Sequence, residues 1–174
     1  SYILGLGYAI ERAALRRGET VPVAPARRIL LSPVPFFHVT GLNACLLPLI
    51  AAGGTYVIMH HWDAAHALEL IERERVTSAG GVPTVAWQML EQIDHGDRDL
   101  GSLETIFYGG APAASELANR IRTEISAIPH NGWGMTETCA VGTRHGDEDY
   151  LHRPLSCGPA NPGTELRIVD GESG

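Results

Sequence analysis

The chain has 174 residues, of which 44% are hydrophobic, enough for a packed core and too apolar for a disordered segment. Its net charge is −7, all 13 basic residues are Arg, and no arginine stripe with interleaved aromatics occurs, so nucleic acid is not expected as a partner. With no Lys anywhere, any chemistry that needs an ammonium group must take it from outside this sequence.

The three cysteines, Cys45, Cys139 and Cys157, are far apart and form no C-x-x-C pair. Neither a disulfide framework nor a cysteine zinc site is supported, and a reduced, cytoplasmic setting is the expectation. The most apolar window, Leu42 to Ile58, is broken by Asn43, Pro48 and Gly53-Gly54 and is shorter than the ~20 residues of a membrane span. Ser1 to Arg17 is apolar first and basic last, the reverse of a signal peptide.

In chain order, Tyr2 to Arg17 has a helical pattern. Ile29-Leu30-Leu31 reads as a buried strand, and Gly41 to Ala52 as an apolar helix bent by Pro48 and ended by Gly53. Thr55 to Met59 is a β-branched strand. Asp63 is placed to cap the next helix, whose core face is Ala64, Ala67, Leu68 and Ile71; Glu69, Glu72, Arg73 and Glu74 fall on the solvated side. Val76 to Ala79 reads as a short strand, and Val82-Pro83-Thr84 opens a helix burying Val85, Met89, Leu90 and Ile93. Leu103 to Tyr108 is a strand running into Gly109-Gly110. Ser115 is placed to cap a helix with core residues Leu117, Ala118, Ile121 and Ile125. Ala127-Ile128 starts another strand, and Glu165 to Val169 reads as the clearest strand near the end. Strand–helix alternation of this kind implies a mainly parallel sheet flanked by helices, an α/β fold.

Ligands of open α/β sheets bind beyond the carboxyl ends of strands. Two glycine-rich turns follow strands here, Gly109-Gly110-Ala111-Pro112 and Asn131-Gly132-Trp133-Gly134. The second runs into Met135-Thr136-Glu137-Thr138, which offers two hydroxyls for phosphate oxygens and a carboxylate for Mg²⁺. Trp133 offers a flat apolar face to a purine. From the residues alone, a nucleotide site stands level with a tight turn whose Thr136 and Glu137 merely cap the next helix. Other features read more simply as structure. His60-His61 and His66 hint at a metal site, but Asp63 as a helix cap explains that region better. Gly5-Leu6-Gly7 mimics a dinucleotide fingerprint without its third glycine or a preceding strand. Asp147-Glu148-Asp149 reads as a solvated loop, and Trp62 and Trp87 as packing residues.

The run Asn131 to Thr138 resembles the aromatic-Gly-x-Thr-Glu signature of adenylate-forming enzymes, the superfamily of acyl-CoA synthetases, aryl-CoA ligases, luciferases and amino-acid adenylation domains. Gly109 to Pro112 resembles the family's adenine-binding turn, and Pro35-Phe36-Phe37-His38-Val39-Thr40-Gly41 its segment beside the acyl site. Ser156-Cys157-Gly158-Pro159 through Pro162 to Asp170 resembles the strand-rich segment that follows. Four ordered matches cover most of the chain from Ile29 to Asp170.

The resemblance implies part of the large N-terminal domain of an acyl-CoA synthetase-like fold over residues 1–174. The lysine-bearing phosphate loop is expected before Ser1, and the ribose-binding Asp and the mobile C-terminal domain with the adenylation lysine after Gly174. It implies that backbone of Gly109, Gly110, Ala111 and Pro112 lines adenine, that Asn131 accepts from the adenine amino group, and that Trp133 packs on the nucleotide. Gly132, Gly134 and Met135 would complete the nucleotide turn, Thr136 would bond the α-phosphate, and Glu137 would hold Mg²⁺. His38 would stand by the acyl carboxylate, with Gly80, Gly81, Val82 and Pro83 walling the acyl pocket. Members that activate very short acids carry a bulky aromatic at the position of Gly134, so glycine implies a medium or long acyl, or an aryl, acid. The implied ligands are ATP or AMP, Mg²⁺, coenzyme A and a carboxylic acid. The implied reaction is acyl-AMP formation followed by acyl transfer to the thiol, for which this chain alone is expected to be incomplete. Amino-acid adenylation domains place Phe-Asp-x-Ser where this chain has Phe36-Phe37-His38-Val39, which favours an acyl or aryl acid. A nucleotide-binding domain without catalysis is the rival of another class. Self-association into a homo-oligomer is the expected way of covering exposed sheet edges and apolar faces.

Overall fold

A computed structural model describes residues 15, 16, 18, 27–93 and 98–171. Five strands form one sheet: β1 (Ile29–Leu31), β2 (Thr55–Val57), β3 (Ser78–Gly81), β4 (Thr105–Gly109) and β5 (Ile128–Gly132). They lie in the order β2-β1-β3-β4-β5, and every pairing is parallel.

The strand pattern dictates two unlike faces. Ile29, Leu31, Ala79, Ile106 and Tyr108 point to one side and join a single hydrophobic cluster. Three helices cover that side: α2 (Ala64–Glu74), α3 (Pro83–Ile93) and α4 (Ser115–Arg120), the last continued by a π-helical stretch, Ile121–Ile125. They contribute Leu68 and Ile71, Met89 and Leu90, and Leu117 and Ile121, all fully buried. Leu30 points to the other side, where Cys45 and Leu49 meet it. Those two residues come from a π-helix (Thr40–Leu46) running into α1 (Leu47–Ala51). One crossover helix therefore lies on the second face and three on the first, which puts the reversal of strand order between β1 and β3.

Helix boundaries follow their local chemistry. Asp63 accepts the His66 backbone N–H at 2.7 Å and caps α2 as expected, and Arg75 closes it in the left-handed conformation. Pro48 lies at the start of α1, where the π-helix passes into the α-helix, and Gly53 follows its end with φ +66°.

Several expectations are corrected. Glu165 to Val169 forms no strand. No neighbouring chain among the described residues pairs with it, and Leu166, Ile168 and Val169 are exposed. Ser115 is the first residue of α4 rather than its cap; Ala114 holds that position without a side-chain bond. Asn131 and Gly132 belong to β5 and not to a turn, and β3 starts two residues later than its apolar pattern suggests. The expected helix Tyr2 to Arg17 lies outside the described residues except for Leu15 and Arg16, which are helical. The charged run is not a loop, because Asp147 to His152 forms a short helix, α5.

Candidate functional site

The carboxyl ends of β4 and β5 lie side by side, with Tyr108 opposite Asn131 and Gly109 opposite Gly132. This adjacency joins the two glycine-rich segments that are well separated in sequence. After β4 the chain turns at Gly110, whose φ of +77° is the left-handed conformation that glycine adopts without strain. Gly110, Ala111 and Pro112 are exposed and present bare backbone at the end of the sheet.

Asn131 is held by three hydrogen bonds besides those of the strand ladder. Its backbone N–H donates to the His145 carbonyl and its carbonyl accepts the His145 N–H, both at 2.7 Å. Its side-chain Oδ1 accepts the Gly132 N–H at 2.8 Å. Trp133 follows, donating its backbone N–H to Thr143 Oγ1 at 3.0 Å and accepting from the backbone of Gly142 and Thr143, each at 2.9 Å. The indole has Gly142 against one side and remains 40% exposed. Thr143, itself buried, donates to the Cys157 carbonyl at 2.6 Å and so ties the signature segment to the chain that follows.

Thr136–Thr138 is a single 3₁₀ turn. Thr138 closes it, its Oγ1 accepting the Met135 N–H at 2.9 Å and donating to the Met135 carbonyl at 3.1 Å. The next helix, α5, begins at Asp147 with Gly146 as its N-cap. Thr136 and Glu137 therefore cap no following helix, and both side chains are exposed beside the end of the sheet. Cys139 and Ala140 take positive φ values of 56° and 90°, an unusual pair for residues with a Cβ.

A cavity of about 420 Å³ runs along the second face of the sheet. The π-helix and α1 supply Thr40, Ala44, Cys45 and Leu49 to its wall, and the strands supply Leu30, Ser78, Gly81, Thr105, Phe107 and Gly109. Gly110, His130, Asn131, Gly132, Trp133, Val141 and Arg144 complete its other end. Burial pushes the Cys45 thiol up to about 12, so it lines the cavity as a neutral, apolar group. Burial, and then the nearby Arg144 guanidinium, push the His130 imidazole down to about 3. Arg144 Nη2 lies 3.3 Å from His130 Nδ1, an arrangement that a neutral ring accepts.

The cavity thus gathers Gly81, Gly109, Gly110, Asn131, Gly132 and Trp133. His38, Val82, Ala111, Pro112, Gly134, Met135, Thr136 and Glu137 are not part of its wall. His38 is exposed, and its Nδ1 accepts the Thr40 N–H at 3.1 Å, which leaves the proton on Nε2. At Gly134 the side-chain direction runs into the carbonyl oxygen of Ala140. Among the described residues no group of three or more His, Cys, Asp or Glu side chains could hold a metal ion, and His60, His61 and His66 make no such group. Phe107, His130, Thr143 and Arg144 were not foreseen. Period-two alternation along β4 and β5 could have found the first two, which share a face; nothing in the sequence marks the others.

Residues 7–174 match the model of the AMP-binding enzyme family. Among curated relatives, 4-coumarate-CoA ligase 1 of Narcissus pseudonarcissus is 33% identical over 150 residues, which cover 84% of this chain and 27% of that protein. 4-Coumarate–CoA ligase CCL1 of Humulus lupulus is 31% identical over 153 residues, with the same coverage. Among solved structures, a Mycobacterium tuberculosis fatty acyl CoA synthetase superposes with a TM-score of 0.77 at 29% identity, over 86% of this chain and 30% of that one. The o-succinylbenzoate coenzyme A synthetase of Bacillus subtilis, solved in complex with ATP and magnesium ion, gives a TM-score of 0.73 at 27% identity over 96% of this chain and 33% of that one. The chain therefore spans 27% of the length of each of these curated relatives. No helix among the described residues is long and apolar enough to cross a membrane. With the signature segments side by side at the end of a parallel sheet, and with the match running from residue 7 to the last residue, the chain belongs to the AMP-binding enzyme family.

Proposed function

We propose that the protein carrying this chain is an acid–thiol ligase that activates an apolar carboxylic acid as its acyl-AMP and passes the acyl group to coenzyme A. The observation that carries the reading is the adjacency of the Gly109–Pro112 turn and the Asn131–Trp133 segment, directly over the sheet cavity.

In this reading adenine lies between the exposed backbone after β4 and the open part of the Trp133 indole, with Asn131 Oδ1 facing its amino group. Thr136 donates its hydroxyl to the α-phosphate. Glu137 is one exposed carboxylate, which suits Mg²⁺, an ion that keeps several waters and takes the rest of its shell from phosphates. When bound, that ion would neutralise charge on the phosphate oxygens. The substrate carboxylate attacks the α-phosphorus and the bond to pyrophosphate breaks; the thiol then attacks the acyl carbonyl and AMP leaves. Positioned donors contribute most where charge spreads over phosphoryl oxygens, and His38, with its proton on Nε2, stands ready to donate to the acid carboxylate. The chain has no Lys, so a lysine that participates must come from elsewhere in the protein.

The acid would enter the cavity, whose wall of Leu30, Ala44, Leu49, Phe107 and Val141, with a neutral Cys45, suits an aryl or a medium to long acyl group. The test is acid-dependent ATP–pyrophosphate exchange by the full-length protein with acetate, octanoate, 4-coumarate and phenylalanine. Exchange with octanoate or 4-coumarate well above acetate supports the reading. Exchange with phenylalanine alone would move it to amino-acid adenylation, and AMP binding without exchange on any acid would leave a non-catalytic nucleotide-binding domain.

A further inference from the structure

Phe107 and His130 are opposite each other in the β4–β5 register, and both line the cavity on the second face of the sheet. Along β5, His130 stands two residues before Gly132, about 7 Å farther from the carboxyl end of the sheet. Arg144 reaches the same part of the wall, its Nη2 lying 3.3 Å from His130 Nδ1. A guanidinium has only N–H donors, so Nδ1 is the acceptor and the ring carries its proton on Nε2. Among the described residues, the His130 ring has no other hydrogen-bond partner, and Arg144 makes no ion pair with a carboxylate. The charge of the wall has the same sign throughout its length. Arg27, Arg28 and Arg144 line it against the single described carboxylate of Glu104, in a chain whose net charge is −7. Cations gathered in a concave and partly apolar site focus a positive potential there.

We infer that Arg144, with His130 beside it, is a specificity-determining residue that selects acids carrying a second carboxylate at the end away from the reacting one. This rests on the proposed ligase reading and narrows its substrate to an acid with an apolar body and an anionic tail. In that reading the reacting carboxylate lies at the end of the sheet beside the nucleotide. The body of the acid then runs back along β4 and β5, past Phe107 and between Leu30 and Leu49, to His130 and Arg144. A second carboxylate there accepts from the guanidinium with one oxygen and from Nε2–H with the other, and charge-assisted bonds are the stronger kind. Burial and Arg144 hold the imidazole neutral, so His130 contributes a donor and leaves the charge to the guanidinium. A methyl terminus makes neither bond and strips water from both donors. Discrimination therefore comes from the penalty on the plain hydrocarbon acid as well as from the gain on the diacid.

The experiment is ATP–pyrophosphate exchange by the full-length protein with octanoate, octanedioate and 4-coumarate; the first two differ only at the far end. The wild type is expected to favour octanedioate over octanoate by at least about tenfold in kcat/KM, within the range of one charged group paired in a shielded site. Arg144→Gln keeps a donor for His130 Nδ1 and removes the charge. It is expected to lower kcat/KM for octanedioate at least about tenfold, mostly through KM, and to change octanoate by less than about threefold. Arg144→Lys restores a cation and is expected to keep octanedioate the better acid. His130→Leu removes the second donor and is expected to reduce the preference about threefold; it serves if Arg144→Gln fails to fold, which thermal unfolding will show. A folded Arg144→Gln, or failing that a folded His130→Leu, with the wild-type ratio overturns the inference. Wild-type exchange with octanoate or 4-coumarate equal to or above that with octanedioate also overturns it, and leaves the ligase reading standing. Exchange with none of the three acids overturns the ligase reading, and the inference with it.

Discussion

The carbonyl oxygen of Ala140 occupies the space into which a side chain at Gly134 would project. The two are brought together by the sharp reversal after the 3₁₀ turn, where Cys139 and Ala140 take positive φ. Glycine at this point is therefore a requirement of backbone packing.

It follows that Gly134→Ala should be strongly destabilising. The added methyl has only main chain to displace, and overpacking of this kind costs about 2–3 kcal/mol. Urea denaturation of wild type and variant measures the difference. A loss below about 0.5 kcal/mol would mean that the segment relaxes freely, and a change in acid preference without a change in stability would show that this glycine faces the acid.

Much of the sheet was legible because its strands are short apolar runs separated by helical periods, and Asp63 announced α2 by its chemistry alone. The misreadings share a cause. Leu166, Ile168 and Val169 have the alternation of a strand, but a strand is a pairing, and pairing partners are not written in the segment itself. The same holds at the candidate site. Gly109 to Pro112 and Asn131 to Thr138 stand out by their residue types, whereas Tyr108, Thr143 and Tyr150 make contacts that only the folded register creates. At Gly134 a glycine that makes room for a ligand and one that makes room for backbone look alike in sequence.

His130 gives the fold a pH dependence that sets in above the range where carboxylates titrate. Its ring lies under Gly146 and beside Arg144, and both burial and that charge hold it neutral, with its pKa lowered to about 3. The unfolded chain titrates this group near 6.5, so above that pH the group has no effect. As pH falls from about 6.5 towards 3 the unfolded state binds the proton and the folded state does not, and stability is lost by up to about 1.4 kcal/mol per unit. Between pH 7 and 5 the expected loss is roughly 1–2 kcal/mol, read from the urea midpoint. His130→Gln should flatten this slope. A wild type as stable at pH 5 as at pH 7 would show that the ring accepts a proton in place.

Glu137 offers a cleaner separation of catalysis from binding. Its carboxylate is exposed on the 3₁₀ turn, so Glu137→Gln should leave the fold and AMP affinity within about twofold. In the full-length protein, loss of a group that holds Mg²⁺ should reduce ATP–pyrophosphate exchange at least about tenfold. Exchange within twofold of wild type would take Glu137 out of the site.

The acid pocket is tested at Ala44. This residue projects from the π-helix into the cavity wall, across from Phe107 on β4 and close to Leu30 and Cys45. It is small, so the space beside it belongs to the cavity. Ala44→Phe would fill that space from the helix side without touching Asn131, Trp133, Thr136 or Glu137. A hydrophobic pocket discriminates by about 1–3 kcal/mol for each methylene that it ceases to accommodate. The full-length variant should therefore lose at least about tenfold in kcat/KM for octanoate or 4-coumarate, with most of the loss in KM. Acetate, which reaches only the sheet end, should change by less than about threefold, and ATP affinity should be unaltered. Equal losses on all acids would indicate damage to the fold, which a urea midpoint would register. No loss on the long acids, in a variant of wild-type stability, would show that the acid lies elsewhere than along this face of the sheet.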